Sequence, residues 1–214
     1  MKLSTKKEIA NIKSLFLQVY KNAKTELKYK NPYELLVCVM LSAQCTDKRV
    51  NIITPELFEA YPNPESLSKA NLESLKLYIQ SCSFFNNKAQ NLIKMAKSII
   101  QDFDGEIPLD EKSLMSLAGV GQKTAHVVLI ELNNANLMAV DTHVFRTSHR
   151  LGLSNAKNVE ETEKDLVRKF KTDLSSLHQA MVLFGRYICT AKNPKCDECF
   201  LQEFCKSKKS YKPK

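Results

Sequence analysis

Glycine is scarce, with five in 214 residues, and no stretch alternates apolar and polar residues for the length of a strand. Those two absences argue against a sheet-based fold and predict an all-α chain. The first residues, Met1 to Glu8, lack the apolar run of a secretory signal, and no stretch reaches transmembrane length. There is no internal repeat and no low-complexity linker. With 43% hydrophobic residues, the chain is expected to be globular and soluble. Its length allows one sizeable core or two small domains.

The charge is unbalanced. Thirty-two Lys plus Arg against 23 Asp plus Glu leave a net charge of +9. Such a surface suits a polyanion, most simply nucleic acid, or an anionic membrane face. The last stretch, Lys206 to Lys214, is a basic tail, read equally as a solvated end or as a phosphate contact.

Seven cysteines make an odd count. Four of them, Cys189, Cys196, Cys199 and Cys205, follow the spacing C-x6-C-x2-C-x5-C within 17 residues. Four thiolates this close repel one another unless a cation lies among them, so the loop is expected to hold an iron–sulfur cluster or zinc. One short pair between two longer arms suits a cubane better than a single tetrahedral ion, because structural zinc sites favour two short pairs. A disulfide framework is the third reading, disfavoured by a cytoplasmic setting. Cys38, Cys45 and Cys82 have no partner spacing and read as core filler.

Helix signals recur along the chain. Asn31-Pro32-Tyr33-Glu34 reads as a start, with Asn31 as cap, Pro32 at the first position and Glu34 reaching back. The run from Leu35 to Leu41 is apolar on all sides, which predicts a buried helix. Helical stripes follow at Ala89, Leu92, Ile93, Ala96 and Ile100, and at Ala125, Val128, Leu129 and Leu132. Another, Leu177, Ala180, Met181, Phe184 and Ile188, leads straight into Cys189. Breaks fall at Tyr61 to Pro64, Asp104 to Pro108 and Asn133 to Asn136, the last being the best domain boundary.

Leu114 to Ala125 reads as helix, Gly119-Val120-Gly121 turn, helix. The two glycines permit unusual backbone angles and clear space, and the second helix opens with unpaired N–H groups, so the turn suits a backbone phosphate. An ordinary αα-corner has the same outline. Lys123 lies in the first turn of the second helix, where a positive charge costs about 0.3–1 kcal/mol. A solvated lysine leaves that placement unexplained. A nucleophilic lysine, kept neutral by the helix terminus and partial burial, accounts for it. Asp141 reads as a helix N-cap that leaves one oxygen for chemistry, and His143 as a satisfied polar residue.

Leu117-Ala118-Gly119-Val120-Gly121-Gln122-Lys123-Thr124-Ala125, Val140-Asp141-Thr142-His143-Val144-Phe145-Arg146 and the cysteine loop together resemble the endonuclease III family. Leu41-Ser42-Ala43-Gln44-Cys45-Thr46-Asp47 is similar to that family's L-S-A-Q-x-T-D segment. The resemblance runs from about Asn31 to Cys205. It implies a bifunctional DNA glycosylase and abasic-site lyase of base-excision repair, acting on damaged, oxidised pyrimidines in double-stranded DNA. The implied fold is two helical domains with the DNA cleft between them. A six-helix domain with the helix–hairpin–helix spans residues 25–135, and a discontinuous domain joins 1–24 to 136–214 around a 4Fe–4S cluster.

The resemblance also implies roles. Lys123 attacks the sugar C1′, while Asp141 helps deprotonate it and stabilises the cationic sugar. Cys189, Cys196, Cys199 and Cys205 hold the cluster. Gln44 and Phe84 insert into the duplex, the Gly119-Val120-Gly121 turn binds phosphate, and Lys192 and Lys195 meet further phosphates. Ser42, Asp47, His126 and His143 are candidate pocket residues. The implied protein is a monomer of the bacterial cytoplasm, associated with the nucleoid and without membrane contact.

Ser83-Phe84-Phe85-Asn86-Asn87-Lys88-Ala89 departs from the family's G-[LF]-[YF]-N-x-K-A by Ser83, and Phe84 stands where leucine is frequent. Gln122 replaces a common arginine and His126 a common asparagine, so lesion preference does not carry over. The alternatives are an adenine, thymine or uracil mismatch glycosylase on the same scaffold, a non-catalytic DNA-binding module, or an electron carrier. Adenine enzymes usually lack the hairpin lysine and carry an early glutamate where this chain offers Gln44.

Overall fold

The computed structural model describes residues 2–207, so most of the basic tail, residues 208–214, lies outside the described residues. No strand occurs among the described residues, as the scarcity of glycine and of alternation predicts. The chain divides into two compact units. One is Thr25–Asn133; the other draws on both ends, Met1–Lys24 and Asn134–Lys214.

The first unit carries α2 (Pro32–Ser42), α3 (Asp47–Ala60), α4 (Pro64–Ser68), α5 (Leu72–Ile79), α6 (Phe85–Asp102), α7 (Glu111–Ser116) and α8 (Gln122–Asn133). That is seven helices among the described residues rather than six. The short α4 is an element of its own, because Asn63 caps Pro64–Ser68 through the Ser66 N–H at 2.9 Å. Helix α2 starts where its signal lies: Asn31 Oδ1 accepts from the Glu34 N–H at 2.9 Å. Glu34 reaches one residue further back than a capping box, accepting from the Lys30 N–H at 2.7 Å. Every residue from Tyr33 to Leu41 is buried. On α6 the buried face is Lys88, Ala89, Leu92, Met95, Ala96 and Ile99. The predicted stripe was turned slightly too far, since Ile93 is half-buried and Ile100 exposed. Met95 and Ile99 fill the 3.6-residue face that Leu92 and Ala96 begin.

The second unit carries α1 (Lys6–Val19), α9 (Thr142–Arg150), α10 (Val159–Phe170) and α11 (Leu174–Tyr187), followed by two 3₁₀ turns, Cys196–Glu198 and Gln202–Phe204. Its core gathers Ile12 and Phe16 of α1, Val144 of α9, Leu166 of α10, Leu177 and Phe184 of α11, and Leu201 of the cysteine loop. Phe200 packs edge-on against Phe16 and Phe184, with ring centroids 5.8 and 5.4 Å away. Edge-to-face aromatic pairs add about 0.5–1.5 kcal/mol each beyond their buried area. The loop is thereby pinned to two helices by its own aromatic residue.

The N-terminal helix is closed by a capping box. Glu8 N–H donates to Thr5 Oγ1 at 3.3 Å, and Thr5 N–H donates to Glu8 Oε2 at 2.6 Å. The other Glu8 oxygen takes Lys206 Nζ at 2.5 Å, tying the C-terminal end of the cysteine loop to α1. The Lys206 ammonium, and then the Thr5 N–H, hold the Glu8 carboxyl at about 2, well below its ordinary 4.5. A carboxylate with a depressed pKa stabilises the fold fully above about 4.5, and that contribution fades as the pH falls toward 2. Glu8→Gln is therefore expected to lower Tm at pH 7 and to flatten the loss of stability across that acid window, as read by thermal unfolding against pH.

Candidate DNA-repair site and cluster loop

The hairpin forms as its sequence predicts. Leu117 to Gly121 connect α7 to α8, and Gly119 has φ +79°, the left-handed region that a side chain disfavours. A Cβ on Gly119 would also lie 2.9 Å from the Asn91 side chain of α6, so the hairpin packs too closely for alanine. Gly121 differs from expectation. Its φ is not positive, and a Cβ there would meet nothing within 4 Å. Its bareness opens the outer face of the turn instead of relieving the backbone. Val120 is buried and its N–H bonds Leu117 O at 3.1 Å, so it anchors the turn from within. The N–H groups of Gly119 and Gly121 donate to no described group, and the first backbone bond into α8 is Ala125 N–H to Gly121 O at 3.0 Å. The mouth of the hairpin therefore carries several unpaired donors at a helix N-terminus, as anion binding requires.

Lys123 is in the first turn of α8, but it is exposed, against the expected partial burial. The turn ahead of it is built from small residues and leaves nothing to cover the side chain. In the other unit, Asp141 caps α9, its Oδ1 accepting from the Val144 N–H at 2.8 Å. Its Oδ2 accepts no hydrogen bond among the described residues. His143 Nδ1 lies 3.2 Å from an Arg146 amine, which fits the reading of a satisfied polar residue.

Gln44, Phe84 and Gly119 line one cavity of about 210 Å³, together with Met40, Ala43, Asn87, Lys88 and Asn91. Gln44 and Phe84 both adopt left-handed backbone, φ 54° and 58°, and both are exposed, Phe84 by 61%. Non-glycine residues in that conformation are uncommon and tend to mark sites where the backbone is held for a purpose. What holds this one is Lys88, a residue given no role from sequence. Its ammonium is buried and donates to Leu41 O and Ala43 O, each at 2.7 Å, fastening the turn that presents Gln44. Burial lowers the Lys88 pKa from its ordinary value. A signal was available, since Lys88, like Lys123, puts a positive charge in the first turn of a helix. Of the candidate pocket residues, Ser42 turns back to Val39 O at 2.8 Å, and Asp47 begins α3. His126 is buried with Nε2 3.1 Å from Glu111 Oε1, and none of the three lines this cavity.

The four loop cysteines line a second cavity, apolar and shared with Phe184, Ile188, Pro194 and Arg150. Burial and then the neighbouring cysteines push the Cys199 thiol up to about 11, so four thiolates need a cation among them. Sulfurs bound to one zinc at about 2.3 Å would stand within about 4 Å of one another. Among the described residues no three such side chains are close enough to hold a single ion, yet all four cysteines line one hollow. The donor set fits a polynuclear cluster. Arg150, buried and not singled out from sequence, secures the approach to it. It donates to Cys189 O and Sγ at 3.2 Å, Thr190 O at 2.7 Å and Ala191 O at 3.1 Å. Arg146, one turn earlier on α9, donates to Cys189 O at 3.0 Å. Lys192 and Lys195 are exposed on the same loop.

Residues 37–172 match the model of the HhH-GPD superfamily base excision DNA repair protein, and residues 189–205 match the iron–sulfur binding domain of endonuclease III. The chain is 44% identical to endonuclease III of Rickettsia conorii over 92% of this chain and 94% of that one. It is 46% identical to endonuclease III of Bacillus subtilis, over 88% of this chain and 87% of the relative. The chain belongs to the endonuclease III family. A solved non-covalent endonuclease III–DNA complex superposes with TM-score 0.92 at 40% identity, covering 97% of this chain and 98% of that one. A trapped endonuclease III–DNA covalent intermediate superposes with TM-score 0.93 at the same identity, covering 97% and 99%. A thermostable thymine-DNA glycosylase at 22% identity shares the fold, with TM-score 0.81. As a family member, the chain is a base-excision repair enzyme, a DNA glycosylase with abasic-site lyase activity, and its cysteine loop is a 4Fe–4S site. Its partner is DNA. No helix among the described residues is long and apolar enough to cross a membrane.

Arg150→Ala leaves the Thr190 and Ala191 carbonyls without their donor, while Cys189 O keeps Arg146, and a buried group left unsatisfied costs about 1–3 kcal/mol. Iron per protein and visible absorbance are expected to fall, with faster cluster loss on dilution, while far-ultraviolet circular dichroism stays helical.

Proposed function

We propose that Lys123 is the nucleophile and Asp141 its proton acceptor, acting on damaged, oxidised pyrimidines extruded from double-stranded DNA and on abasic sites. The observation that carries this reading is the position of Lys123: an exposed amine in the first helical turn after a hairpin whose Gly119 and Gly121 N–H groups are unpaired and whose Gly121 face is open. Phosphate held at the hairpin brings the sugar to the amine, and the bound duplex, rather than the protein alone, excludes water from it. The neutral amine attacks C1′, the C1′–base bond breaks, and the base leaves with its electron pair. The C1′–O4′ bond then opens as the lysine nitrogen forms its double bond to C1′ and O4′ takes up a proton. The iminium so formed acidifies C2′, and loss of a C2′ proton expels the 3′ phosphate by β-elimination. Asp141 keeps Oδ1 on the helix cap and has Oδ2 left for the proton.

A base in a stacked duplex is out of reach at C1′, and extruding it costs a few kcal/mol. Gln44 and Phe84, exposed on turns fixed from below, are the side chains we assign to filling the vacated space. Contacts from the hairpin and from Lys192 and Lys195 offset the unstacking. The 4Fe–4S cluster, when bound, cross-links the loop that presents those two lysines. The enzyme works on nucleoid DNA in the bacterial cytoplasm, as a monomer.

Borohydride reduction with abasic-site duplex is expected to trap a covalent adduct with the wild type and none with Lys123→Ala. An undiminished adduct in that variant would refute the assignment. Asp141→Asn keeps a good N-cap and should fold normally, while base release slows by about 10²–10⁴-fold. Single-lesion duplexes, scored separately for base release and strand cleavage, identify the preferred lesion.

A further inference from the structure

Three cysteines lie outside the cluster loop, and two of them are not the isolated core filler their spacing implies. Cys45 Sγ and Cys82 Sγ stand 3.5 Å apart, in hydrogen-bond contact, with both thiols free. Each sits in a tight turn. Cys45 N–H bonds Ser42 O at 3.0 Å, and Cys82 N–H bonds Ile79 O at 2.9 Å. Each turn carries one of the exposed left-handed residues: Gln44 adjoins Cys45, and Phe84 follows Cys82 by two positions. Cys38, by contrast, is buried and turned toward Lys28 O at 3.6 Å.

We propose that Cys45 and Cys82 are a peroxide-sensitive dithiol whose oxidation to a disulfide ties together the turns that present Gln44 and Phe84 to DNA. The regulatory half rests on the reading of those two residues as duplex-inserting side chains. Cys45 is half-buried and reachable, whereas Cys82 is 3% exposed. Burial, and then the Cys45 sulfur, push the Cys82 thiol up to about 11, partly opposed by the charges of Lys88 and Arg49. Cys45 is therefore the attacking sulfur and Cys82 the resolving one.

The chemistry balances with a hydroperoxide as oxidant. The Cys45 thiolate attacks one oxygen of hydrogen peroxide, the O–O bond breaks, and hydroxide leaves and takes up the proton Cys45 released. Cys45 is now a sulfenic acid, and peroxide has accepted two electrons. The Cys82 sulfur then attacks the Cys45 sulfur, the S–O bond breaks, and the hydroxyl departs with the Cys82 proton as water. Two thiols and one peroxide give one disulfide and two waters. A small dithiol reductant reverses the change.

A disulfide needs its sulfurs about 2.05 Å apart, so the two sulfurs must approach by about 1.5 Å, through side-chain rotation and movement of the turns that carry them. Displacements near 1 Å in a positioned site cost on the order of 10²-fold in favourable cases. Lys88, which fastens one turn through Leu41 O and Ala43 O, limits how far the backbone can yield. The turn carrying Phe84 therefore moves more than the turn carrying Gln44, and the spacing between the two side chains changes.

The test uses the cluster-loaded, full-length enzyme, treated briefly with hydrogen peroxide and then alkylated. Visible absorbance is followed throughout, so that cluster damage is seen separately. Peptide mass mapping should recover a Cys45–Cys82 linked peptide lacking two hydrogens. Base release from a single-lesion duplex should slow about tenfold or more, affinity for a duplex with a stable abasic analogue should fall with it, and both should recover with dithiothreitol. None of these effects should appear in Cys45→Ser or Cys82→Ala. Free alkylation of both cysteines after peroxide overturns the proposal, as does a linked peptide formed without loss of affinity. Reduced Gln44→Ala and Phe84→Ala separate the two layers. If they bind the duplex as tightly as wild type, the insertion reading falls and the regulatory half with it, while the linked peptide still decides the chemistry.

Discussion

A buried guanidinium does for the cysteine loop what a helical ladder does elsewhere. From Cys189 onward the described residues form two short 3₁₀ turns and no α-helix, so the carbonyls ahead of those turns need donors from outside. Arg150 supplies them to three consecutive residues and also approaches the Cys189 sulfur. That fixed first arm helps keep the four cysteines around one hollow. Phe200 secures the middle of the loop in the aromatic core, and Lys206 secures its end on Glu8. The sulfurs are thus set at the rim of a packed core by three contacts of different kinds.

The other unit solves a related problem with an ammonium. Exposed left-handed turns cost on the order of 1–3 kcal/mol per residue and persist only when their surroundings over-determine them. Lys88 is buried at a cost, but two backbone carbonyls satisfy it, and the turn carrying Gln44 is fixed as a result. Gly119 packs against Asn91 on the same helix, α6, so hairpin and turn share one rigid support. The exposed Gln44 side chain is thus presented on backbone that cannot relax away.

Much of this was legible in the residues. Asn31, Pro32 and the apolar run after them announce α2, because caps and all-round hydrophobicity are local signals. The Gly-Val-Gly turn announces the hairpin, and the cysteine spacing announces a cation. Other features were misread or missed. Lys123 was expected to be partly buried, and it is exposed, because burial depends on what packs nearby and not on helix position. Gly121 was expected both to free the backbone and to clear space, and it does only the second. Arg150 and Lys88 carry ordinary residue letters, and their importance lies in carbonyls contributed by distant parts of the chain.

The sequence alone determined the helical class, the breaks, the iron–sulfur loop and the family, since each is written in local pattern and spacing. Only the tertiary structure decided that Cys45 and Cys82, 37 positions apart, share a contact. It also decided that Gln44, Phe84 and Gly119 line one cavity, and that buried cations hold two irregular segments. The physical reason is range: capping and periodicity act within a turn or two of helix, while sulfur contacts and carbonyl donors are set by whichever segments folding brings together.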